Sequence, residues 1–463
     1  MRASPPAAVL LLLLGCDRRP DVVLITIDTL RVDHVGAFAP TSPARTPHMD
    51  RLASEGVRYT QAYSPISVTG PAFCTLHTGQ LPGRHGVVMN VFRGGANLPP
   101  SAETLAERLS AAGWSTGAYL SGFTLRPSLG LDQGFDSYVA PGSRRRSGGN
   151  TNDRLWGWLV RQPGPILAWY HSYDPHGPLG AWDEPAVHAG LRRGGPELDR
   201  IPQYQRIDDI TDEAFFRARY AHAVEYADEQ VGRILWMLEA TGRYDDALIV
   251  LTADHGESFT ERELWFDHGT TAHEEQLHVP LVIKYPDGWG AGRSEDALVG
   301  LQDVAPTVLD ALGLPGLLVT DGMSLRAAPL VGHPQLEGES SHCKKEPVLG
   351  CAPRGPGGKM LAVRTREQTY IEEPRADGRS ARLYDRHADR AERAPLSAAA
   401  PAALQGVLAR MAADRAAMGL VDPEAEDAPA AAQSTDELEA LRALGYISGP
   451  APEPAAPAPA PAP

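Results

Sequence analysis

At 463 residues, with 43% hydrophobic and 22% charged positions, the chain can bury one large core and carry a smaller unit beside it. Its 58 Asp and Glu outnumber 43 Lys and Arg, for a net charge of −15. An acidic surface of this kind repels phosphate backbones and argues against a nucleic-acid partner.

The amino terminus carries Arg2, an apolar run from Ala7 to Leu14, then Gly15-Cys16 and the polar Asp17-Arg18-Arg19. That run is too short to cross a bilayer, which needs about 20 residues, so residues 1–16 read as a signal peptide. A small residue before Cys16 at the end of such a core resembles a bacterial lipoprotein signal, in which Cys16 would become the new terminus and carry a lipid. Plain secretion, or a cytosolic chain with a ragged start, stays open. The expectation is an exported protein of the cell envelope or periplasm, attached to the membrane through Cys16.

Beyond it, short apolar runs alternate with amphipathic segments, which predicts an α/β fold with helices on the faces of a sheet. Strands are expected at Val22–Ile27, Thr116–Leu120, Ile166–Tyr170, Leu248–Leu251 and Val279–Ile283. Helices are expected at Leu105–Ala112, Phe215–Glu239 and Val304–Leu312, with Gly113 at a helix end. This unit spans residues 21–335. A second, α+β unit at 340–446 is expected to hold antiparallel strands at Leu361–Arg364 and Thr369–Glu372 and a helix at Ala403–Met411. The Pro/Ala tail, 447–463, cannot bury a core and reads as extended or disordered. Cys343 and Cys351 could bridge in an oxidising compartment or stand as two loop thiols; Cys74 reads as buried and inert.

The chemistry gathers where strands end. Val22–Ile27 runs into Asp28-Thr29, Ile166–Tyr170 into His171 and then Asp174-Pro175-His176, and Leu248–Leu251 into Asp254-His255-Gly256-Glu257. In open α/β sheets ligands bind beyond the carboxyl ends of the strands. Carboxylates and imidazoles delivered there together form a ligand set for a divalent cation, which would also remove their mutual repulsion. A lone Asp at a strand end is usually a cap or turn residue; three such endings in one chain favour a site. In Thr69-Gly70-Pro71-Ala72-Phe73-Cys74, Pro71 suits the first turn of a helix, which puts Thr69 at a helix amino terminus, where anions are favoured. Thr69 is then either a nucleophile activated by a metal or a simple helix cap.

These segments resemble the sulfatase family of the alkaline phosphatase superfamily. The resemblance rests on Asp28–His34, Thr46–Ala53, Thr69–Gly79 with Leu81-Pro82 and Arg84-His85-Gly86, Asp174-Pro175-His176, Asp254–Glu257, Val279–Ile283, Asp303–Thr307 and Asp321–Leu325. It covers roughly residues 21–330 and continues more loosely through Leu383-Tyr384-Asp385 and Leu441–Tyr446. It implies an alkaline-phosphatase-like fold, a large, mixed, mostly parallel sheet flanked by helices. It also implies one divalent ion (Ca²⁺, Mg²⁺, Mn²⁺ or Zn²⁺) held by Asp28, Asp254, His255 and the Thr69 hydroxyl. His176 would assist the leaving group, and Thr29, Asp174 and His268 are candidates for a further substrate or metal contact.

The chain departs from the family at the nucleophile. Sulfatases usually carry Cys or Ser there, matured to formylglycine; the methyl group of Thr69 rules out an aldehyde, so no formylglycine is expected. Phe73 replaces the family's Arg, and Gly122 and Thr124 stand where Lys and His usually grip sulfate. Thr nucleophiles occur in related phosphodiesterases and phosphotransferases. The sequence therefore implies a hydrolase or transferase of sulfuric or phosphoric esters on small molecules, glycans or lipids. The alternative is a degenerate relative that binds an anionic glycan or lipid headgroup without turnover.

Overall fold

The computed structural model describes residues 19–90, 97–142, 145–179, 190–262, 265–341, 359–375, 378–396 and 402–417. Cys16, Cys343, Cys351, the segment Leu441–Tyr446 and the Pro/Ala tail lie outside these residues.

The larger sheet has eight strands: β1 (Val22–Ile27), β2 (Val57–Tyr63), β3 (Ser115–Leu120), β4 (Ser137–Val139), β5 (Ile166–Ser172), β6 (Leu248–Thr252), β7 (Leu281–Lys284) and β8 (Ser294–Gly300). Their order is β4-β3-β5-β1-β6-β7-β2-β8. Every neighbouring pair is parallel except β6–β7 and β7–β2, so the sheet is mixed and mostly parallel, as expected. Strands β1, β5 and β6 are buried along their whole length because helices cover both faces.

The helices are α1 (Pro47–Glu55), α2 (Thr69–Thr78), α3 (Pro82–His85), α4 (Leu105–Ala111), α5 (Gly148–Leu159), α6 (Glu213–Ala240), α7 (Glu274–Leu277), α8 (Val304–Ala311) and α9 (Ala402–Ala417). Thr104 and Glu107 close a reciprocal cap at the start of α4, and Gly113 follows its last residues at φ +89°, the left-handed conformation that favours glycine. None of the described helices is long and apolar enough to cross a membrane.

One ion pair ties the amino edge of the sheet. The buried Arg243 donates to both carboxylate oxygens of Asp21 and to the Gly164 carbonyl, while Asp21 Oδ1 also accepts from the Ile166 amide. It fixes the start of β1 against the start of β5, and so sets the register Thr26↔His171 at the far end.

The smaller sheet is wholly antiparallel, in the order β12-β11-β10-β9, from β9 (Leu336–Glu339), β10 (Leu361–Arg364), β11 (Gln368–Arg375) and β12 (Gly378–Asp385). Helix α9 packs on β10 through Val407, Leu408 and Met411. The sheet docks where the loop after β6 returns to the core. Buried Arg364 donates to the Ala272 carbonyl at 2.7 Å and to Glu392 at 3.2 Å, and Glu392 accepts from the Glu274 amide at 2.9 Å. Breaking a buried pair of this kind costs about 3–5 kcal/mol, so the second sheet anchors one end of the segment that carries the site residues described next.

Candidate active site

Strands β5, β1 and β6 are adjacent and parallel, and their carboxyl ends deliver His171, Asp28 and Asp254-His255 to one place. Strand β2 lies antiparallel to β7, which is antiparallel to β6, so β2 ends at the same edge and feeds α2 into it. Helix α2 is buried along its whole length. Its first residue is Thr69, with Val68 as the cap. The Thr69 hydroxyl donates, at 3.4 Å, to Asp28 Oδ2 and caps no amide in α2, which removes the helix-cap reading of this side chain.

Three side chains spend one atom on orientation and leave another without a partner. Asp28 Oδ2 lies 3.2 Å from His171 Nε2, while Oδ1 has no partner. Asp254 Oδ1 accepts from the Thr29 amide at 3.1 Å and the His255 amide at 2.9 Å, while Oδ2 has none. His255 Nδ1 lies 2.8 Å from the Gly256 carbonyl, which places the ring proton on Nδ1; Nε2 keeps a lone pair, has no hydrogen-bond partner and lies 3.4 Å from Asp254 Oδ2. All three residues are fully buried, and ligand atoms of the three lie within 4.8 Å of one another.

Buried polar atoms without partners are rare because each costs about 1–3 kcal/mol. Here they converge as two carboxylate oxygens and one imidazole nitrogen, a donor set that fits a divalent cation. Burial, and next the charge of Asp254, push the Asp28 carboxyl well above its ordinary pKa. An added positive charge would relieve this directly.

Thr29 enters differently from the expectation. Its hydroxyl donates to the Asp28 carbonyl at 2.7 Å, and its backbone sits at φ +55°. A β-branched residue in that region costs about 1–3 kcal/mol. The return is the Thr29 amide aimed at Asp254.

His176 is stacked on Tyr173 with ring centres 4.1 Å apart, and its Nδ1 lies 2.6 Å from the Gly177 carbonyl. Burial, then the neighbouring His268, hold its pKa well below the usual value. The neutral ring thus carries its proton on Nδ1. His268 lies between the other two imidazoles, 4.7 Å from His176 and 4.6 Å from His255 between ring centres, with Nδ1 3.3 Å from Glu257. Asp174 is not part of the group formed by Asp28, Asp254 and His255. It accepts from the Ser172 hydroxyl at 2.5 Å and from the Gly148 amide at the first turn of α5, and burial raises its pKa to about 6. Its visible work is to fix α5.

Sequence reasoning passed over three residues. His171 was seen only as a strand end. Asn90 accepts from the Gly70 amide at 2.7 Å, beside the nucleophile position, and its buried Nδ2 has no partner; it belongs to no motif or periodic run. Glu257 orients His268 and was visible only as the last residue of a quoted motif. Two of the departures from the family pattern, Phe73 and Gly122, have packing roles. Phe73 sets its edge against His171 and Trp169, with ring centres 4.9 and 5.2 Å away. Gly122 leaves room for Tyr173, whose ring atom would lie 2.8 Å from any added Cβ. Cys74 is fully buried, and burial raises its thiol pKa far from reactivity.

The family model described as Sulfatase matches residues 20–314. A choline-sulfatase of Rhizobium meliloti is 28% identical over 431 residues, covering 76% of this chain and 78% of that protein. An ulvan-active sulfatase of Formosa agariphila is 26% identical over 390 residues, covering 76% of this chain and 72% of that protein. Among solved structures, the phosphonate monoester hydrolase of Agrobacterium radiobacter has the same fold, with a TM-score of 0.68 at 22% identity, covering 86% of this chain and 96% of that one.

Proposed function

The chain is an ester hydrolase of the sulfatase family, and we propose that it cleaves sulfuric or phosphoric esters with the Thr69 hydroxyl as nucleophile beside a divalent ion held by Asp28, Asp254 and His255. The observation that carries this reading is the convergence of three fully buried atoms without hydrogen-bond partners, one of them on the Asp28 carboxylate whose other oxygen receives the Thr69 hydroxyl. A divalent ion bound there supplies positive charge that favours the ionised hydroxyl and draws electron density from the ester centre.

The protein's own residues account for the rest. Asp28 fixes the Thr69 oxygen, and the dipole of α2 favours an anion at its amino terminus. Thr69 gives its hydroxyl proton to solvent as it ionises, and its oxygen forms a bond to phosphorus or sulfur as the bond to the leaving oxygen breaks. His176 takes up a proton as the anionic ester enters and gives it to that leaving oxygen. Water, or an alcohol acceptor, then attacks the threonine ester: one of its protons passes to His176, its oxygen keeps the transferred group, and the released Thr69 oxygen takes a proton back from solvent. Sulfated glycans and other sulfate esters are the substrate classes that the names of the relatives support; phosphate diesters are the class that a threonine nucleophile supports.

The test is turnover of a chromogenic sulfate monoester and a chromogenic phosphate diester by chelated protein after each of the four ions is returned. Metal-dependent turnover that vanishes in Thr69→Ala is expected. Unchanged turnover in that variant removes Thr69 from the mechanism, and no turnover of either ester by metal-loaded protein favours a binding role.

A further inference from the structure

We propose that His171 is a positioning residue for the Asp28 carboxylate, held as the Nε2–H form of its ring by a hydrogen-bond chain that runs from Trp169 through Thr26. The inference rests on the reading of Asp28 as a metal ligand and adds the groups that decide which of its oxygens faces the ion.

The four residues are all buried, with exposures of 0–1%. Thr26 and His171 are register partners on β1 and β5. The Trp169 indole donates to Thr26 Oγ1 at 3.0 Å. Thr26 Oγ1 lies 3.1 Å from His171 Nδ1 and 3.1 Å from the Tyr170 carbonyl. His171 Nε2 lies 3.2 Å from Asp28 Oδ2.

Counting protons leaves one consistent assignment. A ligating carboxylate only accepts, so Nε2 carries a hydrogen. A ring buried to this depth is neutral, because a second proton would place an extra charge out of water. Nδ1 is then a lone pair and needs a donor. Indole N–H is donor only, so the Thr26 oxygen accepts from Trp169 and has one hydrogen left to give. That hydrogen goes to Nδ1, since the Tyr170 carbonyl lies inside β5, which is paired on both sides.

The consequence falls on Asp28. His171 and Thr69 both engage Oδ2, so the carboxylate cannot turn, and Oδ1 is the atom left to join Asp254 Oδ2 and His255 Nε2. Phe73 closes the ring's edge at 4.9 Å. The nucleophile helix thus braces His171 through a side chain where the family more often has a charge.

The experiment measures Mn²⁺ affinity of the chelated full chain by electron paramagnetic resonance, with Ca²⁺, Mg²⁺ and Zn²⁺ read by competition. His171→Leu should lose about 10–100-fold. His171→Gln, with an amide N–H near the place of Nε2, should keep most of the affinity. Thr26→Val should weaken binding several-fold and Thr26→Ser restore it, a pair that decides the matter if His171→Leu does not fold. Nitrogen-15 spectra of the metal-loaded protein should show His171 protonated at Nε2 alone. Wild-type affinity in folded His171→Leu, or in Thr26→Val if the former does not fold, overturns the inference, as does a ring protonated at Nδ1. Wild-type protein that binds none of the four ions overturns the metal reading itself.

Discussion

Replacing Asp28 by asparagine should stabilise the metal-free protein near neutral pH and destabilise the metal-loaded one. Ligand atoms of Asp28 and Asp254 lie within 4.8 Å of each other, and both residues are fully buried. Two unit charges at 4.8 Å repel by about 3.5 kcal/mol at an effective dielectric constant of about 20. The Asp28→Asn change removes one charge and keeps an oxygen for the His171 N–H, so the gain should reach up to about 3.5 kcal/mol. Its pH dependence has a fixed sign. The folded-state pKa of Asp28 is raised by burial and by Asp254. The wild type therefore enjoys its full stability below the unfolded carboxyl pKa of about 3.9 and loses part of it as pH rises through the raised value. The asparagine amide does not titrate, so the variant's advantage should grow from acid to neutral pH. Saturating metal reverses the order, because an ion at about 1,000 times its Kd adds about 4.1 kcal/mol to the wild type alone. Urea unfolding of chelated and Mn²⁺-loaded protein from pH 4 to pH 8 checks both halves. A loss of stability in the metal-free variant at pH 7, or a gain that does not change with pH, would refute the argument that these carboxylates face each other uncompensated.

His176→Gln should slow cleavage of esters with poor leaving groups by about 10²–10⁴-fold and spare nitrophenyl esters, which leave without a proton; an equal loss on both would mean that His176 only binds. Asp174→Ala should cost about 1–2 kcal/mol through the lost contact at the start of α5 yet leave Mn²⁺ affinity within about twofold. Because the folded-state pKa of Asp174 is raised to about 6, its contribution declines as pH rises through that value, so the loss should be larger at pH 5 than at pH 8. His77 is packed against Trp169 with both ring nitrogens unpartnered, and burial lowers its pKa to about 3. Between pH 6.5 and 3 it should cost the fold about 1.4 kcal/mol per pH unit, and His77→Leu should show a shallower acid denaturation curve.

Much of the architecture was legible because its strands are continuously apolar. Val22–Ile27, Ile166–Ser172 and Leu248–Thr252 are buried on both faces and announce themselves without any alternation. Strand β2 was not foreseen, since Val57, Tyr59, Ala62 and Tyr63 are buried while Arg58, Thr60 and Gln61 keep partial exposure, and so mixed a run reads as loop. Strand β7 was expected two residues early and its direction could not be read at all, because direction depends on which neighbour it meets. The antiparallel pair β10–β11 was expected, but β9 and β12 are edge strands of mixed polarity, with Glu337 and Glu339 in one and Arg379 and Arg382 in the other.

The same physics divides the site. Residues that meet a ligand must reach past the sheet, and the proposed metal set Asp28, Asp254 and His255 occupies the first turns after strands, where a carboxylate or imidazole in an apolar run is conspicuous. Their supports lie one residue or more inside the strands, where a polar side chain is indistinguishable from a satisfied core residue until its partner on the next strand is known. Thr26 is such a case: a threonine in β1 suits any strand, and only the register that brings His171 beside it gives its hydroxyl a task. The departures at Thr69 and Phe73 were visible as letters, but their meaning was not. Phe73 gives up a charge near the anion and in exchange packs His171, which holds Asp28, which holds the Thr69 hydroxyl. Order at Thr69 is thus carried by one connected set of contacts from core to site, so a substitution at its buried end should be felt at the Thr69 hydroxyl.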